Sequence, residues 1–490
     1  MSKSNELNFA KTTVKGTFWT YASHYGGKLL VFVSTTILAR LLTQEDFGIV
    51  GFALVVISFL YVLNDLGIGS ALIYYADDPD APHTGFWLGL LMGIVLFGIT
   101  WLIAPLAGTF FHDARAVPVT RALGSTFPII ALGNVHESLL HKNLAFRRKF
   151  IPDVTKMTSK GLTSIILALL GFSFWSMVAG QIVGAVVLVI AYWYTLPFRP
   201  QFRFNQKLVR PLLSYGSGIV AVNAIAILLT NADYLFVGRF LGAAALGVYT
   251  LAFRIPDMLI IQFCTVVGKV LFPVYAKMRD NKRSLQNAFL MTMRYVSLVT
   301  VPLGLGMALV AEPFVLTFFT DKWAEAIPVM RAISIYALFF SLAYNAGSVY
   351  KAEGRPMLLT KLALIRAAML MPALWWAASG PGTITAVGWT HAAVALVAGT
   401  LNLVVAGRIL QTPFSKIVAT LRPAVTGGII MSLGVTAVLA ATASLIPLLQ
   451  LILAVAVGGG LYLGFLWISE HELRLQATQT WQQLLARRSA

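Results

Sequence analysis

The sequence predicts an all-α polytopic membrane protein with about fourteen spanning helices. The helices are expected as two parallel six-helix bundles plus two added helices, with both termini cytoplasmic. The prediction rests on composition, on apolar runs of spanning length and on the placement of basic residues. Of 490 residues, 58% are hydrophobic and 11% charged, and the mean hydropathy is +0.78. A soluble chain of this length needs far more charge to cover its surface. The formal charge of +18 would point to nucleic acid in a soluble protein. Here the basic residues recur in short bursts between apolar runs, as in the inner loops of membrane proteins, so no nucleic-acid partner is expected.

The opening stretch "MSKSNELNFAKTTVKG" lacks an apolar h-region and a small-residue cleavage site. Residues 1–16 therefore read as an uncleaved amphipathic lead on the cytoplasmic side. Apolar runs near the length that a bilayer core requires centre on 17–39, 47–72, 84–111, 117–140, 154–174 and 176–196. They continue at 212–237, 246–270, 294–319, 325–349, 357–378 and 383–406, then at 421–443 and 446–468. This order gives an N-terminal bundle over 17–198, a basic cytoplasmic linker at 199–211 and a second bundle over 212–410. Two added spans occupy 411–470. The closing stretch "HELRLQATQTWQQLLARR" is too polar to span, so 471–490 reads as a cytoplasmic amphipathic tail.

The charge rule tests the span order. With the N-terminus inside, the inner segments hold 23 Lys and Arg, while the outer loops hold Arg40, Arg115, Arg239 and Lys322. A miscounted span would scramble this asymmetry from that point onward, and it persists to the end. The acidic first inner loop, "YADDPDAPH", departs from it. All loops are short, so chemistry is expected within the membrane or at its faces.

An internal repeat supports two copies. At an offset of 199, "ARLLTQEDFGIVGFALVV" falls on "GRFLGAAALGVYTLAFRI". Arg40 meets Arg239, Leu42 meets Leu241, Gly48 meets Gly247 and Ala53 meets Ala252. The loop "HKNLAFRRKF" has a weaker counterpart in "YKAEGRPM". Parallel repeats suggest a transporter with a midplane site between bundles that rock to expose it alternately.

Charged residues within the spans mark the candidate site, because each is costly in hydrocarbon and usually faces a cavity or a partner. By depth, Lys28 lies near the middle of span one and Arg366 near the middle of span eleven. Arg254 and Asp257 lie in span eight, spaced i, i+3, where they either neutralise each other or leave Arg254 for a ligand. Lys156, Lys160 and Lys361 lie in inner halves and either snorkel or line a cavity. Asp65 and Asp233 stand near span ends, where structural roles compete. At the 199 offset Arg254 matches Val55 and Lys28 matches Ile227, so the scaffold is duplicated and these charges are not. The excess is basic, which favours an anionic ligand. Lys28, Arg254, Arg366 and Lys160 are therefore the candidate substrate contacts, and Asp65, Asp233 and Asp257 the candidate ion-coupling groups.

Gly26, Gly27, Gly216, Gly218 and Pro256 read as hinge material; Pro256 removes a backbone donor within span eight. Cys264 reads as a small core residue. His24, His136 and His391 show no ligand spacing and read as packed or cavity-lining residues, with no metal and no cofactor expected. Walker A, GxSxG and HExxH motifs are absent from the sequence, so ATP hydrolysis is not expected.

The stretch "NADYLFVGRFLGAAALGVYTLAFRIPDM" resembles the seventh-to-eighth span region of bacterial polysaccharide exporters of the multidrug/oligosaccharidyl-lipid/polysaccharide flippase superfamily. The likeness lies in an Asp in the span, a turn from Gly238 to Gly242, and Leu246-Gly-x-Tyr-x-x-Ala252. "ARLLTQEDFGIVGFALVVISFLYVLNDLGIGSALI" resembles the first-to-second span region. The resemblance is nearest to O-antigen and colanic-acid type flippases. It implies an undecaprenyl-pyrophosphate-linked oligosaccharide carried to the outer leaflet of the bacterial inner membrane for surface polysaccharide synthesis. It also implies the lipid bilayer and other polysaccharide-assembly membrane proteins as partners. Basic residues of spans one, two, seven and eight line the cavity in such flippases, which favours Lys28 and Arg254; Arg366 and Lys160 rest on depth alone. The alternatives are a drug or cation antiporter of the same superfamily, for which the basic interior is unfavourable, and a membrane polymerase or ligase, for which the outer loops are short. The expected protein is thus a transporter without covalent catalysis.

Overall fold

The computed structural model describes residues 26–64, 78–143 and 145–470. The N-terminal lead, Asp65, His24 and the tail after 470 lie outside that range. All regular structure among the described residues is helical. In chain order the helices are α1 (described over 26–41), α2 Gln44–Asn64, α3 Ala81–Phe111, α4 Ala116–Gly124, α5 Thr126–Lys142, α6 Phe146–Leu169 and α7 Trp175–Thr195. They continue as α8 Gln206–Pro256, a π-turn at Asp257–Ile261, α9 Gln262–Lys277, α10 Lys282–Leu309, α11 Ala311–Phe318 and α12 Ala326–Tyr344. The last are α13 Ala346–Ala352, α14 Pro356–Ser379, α15 Ile384–Ile409, α16 Phe414–Ala441 and α17 Pro447–Ser469.

Among the described residues, eleven helical segments are long and apolar enough to cross a membrane. The expected spans map onto the helices with three departures. Span one begins outside the described residues. Spans seven and eight fall in one continuous stretch, Ala226–Lys277. Span five corresponds to α6, whose 24 residues would span, but Arg147, Arg148, Lys149, Asp153, Lys156 and Lys160 keep it from being apolar. The faces that look outward are apolar: Leu102 is 77% exposed, Leu433 69% and Leu463 67%. Water would penalise such surfaces and lipid does not, so the chain is a polytopic membrane protein.

Two compact units divide the chain, Met1–Thr250 and Leu251–Ala490. In the first, α2 starts with a reciprocal cap. Thr43 Oγ1 accepts from the Asp46 amide at 3.2 Å, and the Asp46 carboxylate accepts from the Thr43 amide at 2.9 Å, which satisfies donors that a helix start leaves open. Small residues then let helices approach closely. Gly180 and Gly184 of α7, one turn apart, lie on the backbone of α6 at Lys160 and Lys156. Ile49, Val50 and Ala53 of α2 form a buried cluster with Val119, Leu123 and Val178.

The span seven to eight turn belongs to this unit. Within α8 the helical path breaks at Gly242, with φ 85° and ψ −174°, a conformation that glycine adopts without a Cβ penalty. The segment after the turn lies against α2 through the repeat's own glycines. A Cβ on Gly48 would overlap the Ala243 carbonyl, and one on Gly247 would overlap the Gln44 carbonyl. Residues 44 and 48 are the repeat partners of 243 and 247, so the repeat meets itself reciprocally. A Cβ on Gly51 would reach its own partner, Thr250, at 3.8 Å. Arg115 ties the same end together by pairing with Glu45 and, at 2.9 Å, with Asp113.

In the second unit, α12 packs on α15 where a Cβ on Gly388 would lie 3.0 Å from Ala332. Tyr275, Phe289, Val349, Tyr350 and Ile417 belong to one buried cluster. The added helices are anchored to α10: Tyr462 of α17 donates to the Leu298 carbonyl at 2.8 Å, and Arg294 pairs with Glu470.

Candidate functional site

In the first unit, Lys28 and Lys160 are both half-buried on neighbouring helices. The α1–α6 contact is made by two glycines. A Cβ on Gly27 would overlap the Met157 sulfur, and one on Gly161 would lie 3.1 Å from Ser34 Cβ. Lys28 follows the first of these glycines and Lys160 precedes the second. The Lys160 stem leaves toward α7, since a Cβ on Gly184 would lie 3.0 Å from Lys160 Cβ. Gly27 thus has a packing role at its position, whereas a Cβ on Gly26 would meet nothing within 4 Å. Gly216 and Gly218 fall inside α8.

Asp233 is fully buried. Its carboxylate accepts from the Tyr249 hydroxyl at 2.8 Å and from the Tyr234 amide at 3.0 Å. Tyr249 comes from beyond the Gly242 turn, so this bond braces the two limbs of α8. The motif carrying the family resemblance acquires a physical meaning here. Leu246 and Ala252 are buried, Gly247 permits close approach to α2, and Tyr249 holds the aspartate.

In the second unit, Arg254 is half-buried in the last turn of α8. Pro256 closes that helix without a break, at φ −58° and ψ −38°, and the five-residue π-turn follows. The hydrogen-bond register changes there, closed by the Gln262 amide donating to the Asp257 carbonyl. The Asp257 carboxylate accepts from Gln262 Nε2 at 3.3 Å.

Arg366 on α14 reaches into a frame of aromatic rings. Its Nη2 donates to Tyr336 Oη at 3.4 Å, and its guanidinium lies 5.7 Å over the Phe340 ring. Its Nε is buried and has no hydrogen-bond partner among the described residues. Tyr336 stacks on His391 at 4.1 Å and 17°. Phe253, the neighbour of Arg254, lies 5.9 Å from Tyr336 and 6.4 Å from His391. Arg254, Asp257 and Arg366 thus belong to one unit, and Lys28, Lys160 and Asp233 to the other. His136 is a packed residue, stacked on Trp193 at 5.2 Å with Nε2 3.2 Å from the Phe198 carbonyl.

Sequence reasoning passed over two polar clusters. Asp46 is buried and accepts from Ser173 Oγ and, at 3.1 Å, from the Phe174 amide, besides its cap bonds. The Thr-x-x-Asp spacing was its available signal. Lys149 donates to Glu137 at 2.6 Å and lies 2.8 Å from His141; the i, i+4 spacing of Glu137 and His141 was the signal there.

The profile of a family described as polysaccharide biosynthesis protein matches residues 37–328. The chain belongs to this family. It is 27% identical over 472 residues to the succinoglycan biosynthesis transport protein ExoT of Rhizobium meliloti, covering 95% of this chain and 94% of that one. To the lipopolysaccharide biosynthesis protein WzxC of Escherichia coli it is 26% identical, covering 75% of each chain. Its fold is similar to that of the lipid II flippase MurJ in an inward closed conformation. The TM-score is 0.76 at 13% identity, covering 93% of this chain and 99% of that one. An inward-facing MATE family transporter of the MOP superfamily aligns with a TM-score of 0.63 at 16% identity, covering 79% and 94%. This member of the polysaccharide biosynthesis family thus has the fold of MOP-superfamily transporters.

Proposed function

We propose that this chain is a flippase for lipid-linked oligosaccharides, moving undecaprenyl-pyrophosphate-linked repeat units across the bacterial inner membrane for surface polysaccharide synthesis. The observation that carries this reading is the set of half-buried cations on the helices of a polysaccharide-biosynthesis protein: Lys28, Lys160, Arg254 and Arg366, the last two within apolar spanning segments. Cations at such depth are retained for a water-filled path or an anionic partner. A pyrophosphate-linked head supplies that anion, while the polyprenyl tail remains in lipid. The roles named for a relative, succinoglycan transport, and for a structural neighbour, lipid II flipping, agree with it.

Transport proceeds by alternating access without covalent catalysis, and both termini face the cytoplasm. The two six-helix copies move as bundles, and the two added helices flank the second. Asp257, at the π-turn, is the favoured ion-coupling group; Asp233 is engaged by Tyr249, and Asp65 is the remaining candidate. Membrane proteins of polysaccharide assembly are the expected partners.

The test is a deletion strain, in which the lipid-linked intermediate should accumulate on the inner leaflet. Complementation with the intact chain should restore export, and Lys28→Ala and Arg254→Ala should not, at equal membrane abundance. Normal export by both variants would refute the basic-path reading.

A further inference from the structure

The aromatic frame around Arg366 has no role in moving a pyrophosphate. Tyr336, Phe340 and Tyr344 recur every four residues on α12, so their rings share one face. Successive centroids are 6.0 Å and 5.4 Å apart. Tyr336 and His391 are buried beneath, while Phe340, Tyr344 and Phe253 are only half-buried. The guanidinium held among these rings sets this face apart from the purely apolar outward surfaces. Half-exposed rings in a row suit a ligand with flat apolar C–H faces and hydroxyl edges, which describes a pyranose.

The guanidinium defines the ligand further. Nε and Nη2 form the side-on edge of an arginine, the edge that takes a carboxylate with two parallel bonds. Among the described residues Nε lacks an acceptor and Nη2 makes a single long contact, 3.4 Å to Tyr336. A buried donor left unmade is costly, and more so on a charged group. The cation–π contact with Phe340 contributes but cannot satisfy an N–H.

We propose that Tyr336, Phe340, Tyr344 and Arg366 form a glycan subsite that holds a carboxylate-bearing sugar, with the ring stacked on Phe340 and Tyr344 and the carboxylate on the Nε–Nη2 edge. This rests on the flippase reading and adds to it. On this refinement the pyrophosphate falls to the other cations of the flippase reading, Lys28, Lys160 and Arg254, and Arg366 is a specificity determinant for the acidic sugar.

The test is direct binding to the purified full chain in lipid nanodiscs. The probes are a tetrasaccharide of alternating glucose and glucuronic acid and its carboxyl-reduced form. The intact chain should bind the acidic form at least tenfold more tightly. In Arg366→Gln that ratio should fall to within twofold, and in Phe340→Leu both forms should weaken together. Arg366→Lys keeps the charge and loses the side-on edge, so it should also lose the preference; it serves where Arg366→Gln does not fold. An unchanged ratio in the Arg366 variants, or no binding of either probe by the intact chain, overturns the proposal. Failure of the flippase reading would show separately, as normal export by the deletion strain.

Discussion

Replacing Gly48 by alanine should destabilise the first unit more than any conservative change on its lipid face. The added methyl would fall on the Ala243 carbonyl, and Gly247→Ala would place one on the Gln44 carbonyl. A clash with backbone cannot be relieved by a rotamer change, so α2 and the segment after Gly242 must separate. Overpacking costs about 1–3 kcal/mol, and backbone clash puts each variant at the upper end. For a unit the size of Met1–Thr250, about 1 kcal/mol moves the midpoint by about 2 °C, so each variant should unfold about 4–6 °C lower. The double variant should lose less than the sum, because one displacement accommodates both methyls; the coupling should be about 0.5–3 kcal/mol. Gly98→Ala is the control. It lies in α3 with nothing within 4 Å of a Cβ, and alanine in a helix interior should gain up to about 1 kcal/mol. The measurement is thermal unfolding in detergent, followed by tryptophan fluorescence. If Gly48→Ala and Gly98→Ala behave alike, or if the two crossing variants add fully, the reciprocal contact is wrong.

Tyr249→Phe should lower stability by about 1–3 kcal/mol by taking the hydroxyl from a buried carboxylate, and Asp233→Asn in the same background should recover part of it, as read by the same unfolding assay. Asp46→Ala should cost about 2–4 kcal/mol, from a lost cap and stranded donors at Thr43, Ser173 and Phe174, with denaturant titration as the check. Asp113 lies in the loop after α3; burial raises its pKa, but hydrogen bonds from Arg115 and the arginine's charge outweigh this and hold it below 3.8. Its contribution to stability should therefore be complete above pH 3.8 and be lost as pH falls through the depressed value. Asp113→Asn should flatten the acid limb of the stability–pH curve.

The span order and the turn between spans seven and eight were legible, because both are written locally: apolar runs, loop charges and the Gly238–Gly242 spacing. The close crossing at Gly48 and Gly247 was half legible. The repeat aligned the two glycines but carried no sign that they touch. Span five was legible by length, although six charges near its start dilute its hydropathy. The charged candidates were found by depth, yet their surroundings were not readable. The rings around Arg366 come from α12, α15 and the end of α8, far apart in sequence. For Asp233 a structural and a coupling role stood side by side, because its partner, Tyr249, lies across a turn whose geometry only the fold supplies.

The π-turn after Pro256 has a consequence for the duplicated scaffold. The matching part of α2, residues 58–62, is ordinary α-helix. A π-turn takes in one residue more than an α-turn for the same hydrogen-bonded closure, and one residue is about 100° of rotation. The side chains of α9 are therefore set about 100° away from the phase they would hold had the helix run on as plain α-helix through Asp257–Ile261. A single extra residue suffices to break the symmetry of a doubled gene. Such a shift re-aims the side chains of one copy without any change in the number or order of its helices.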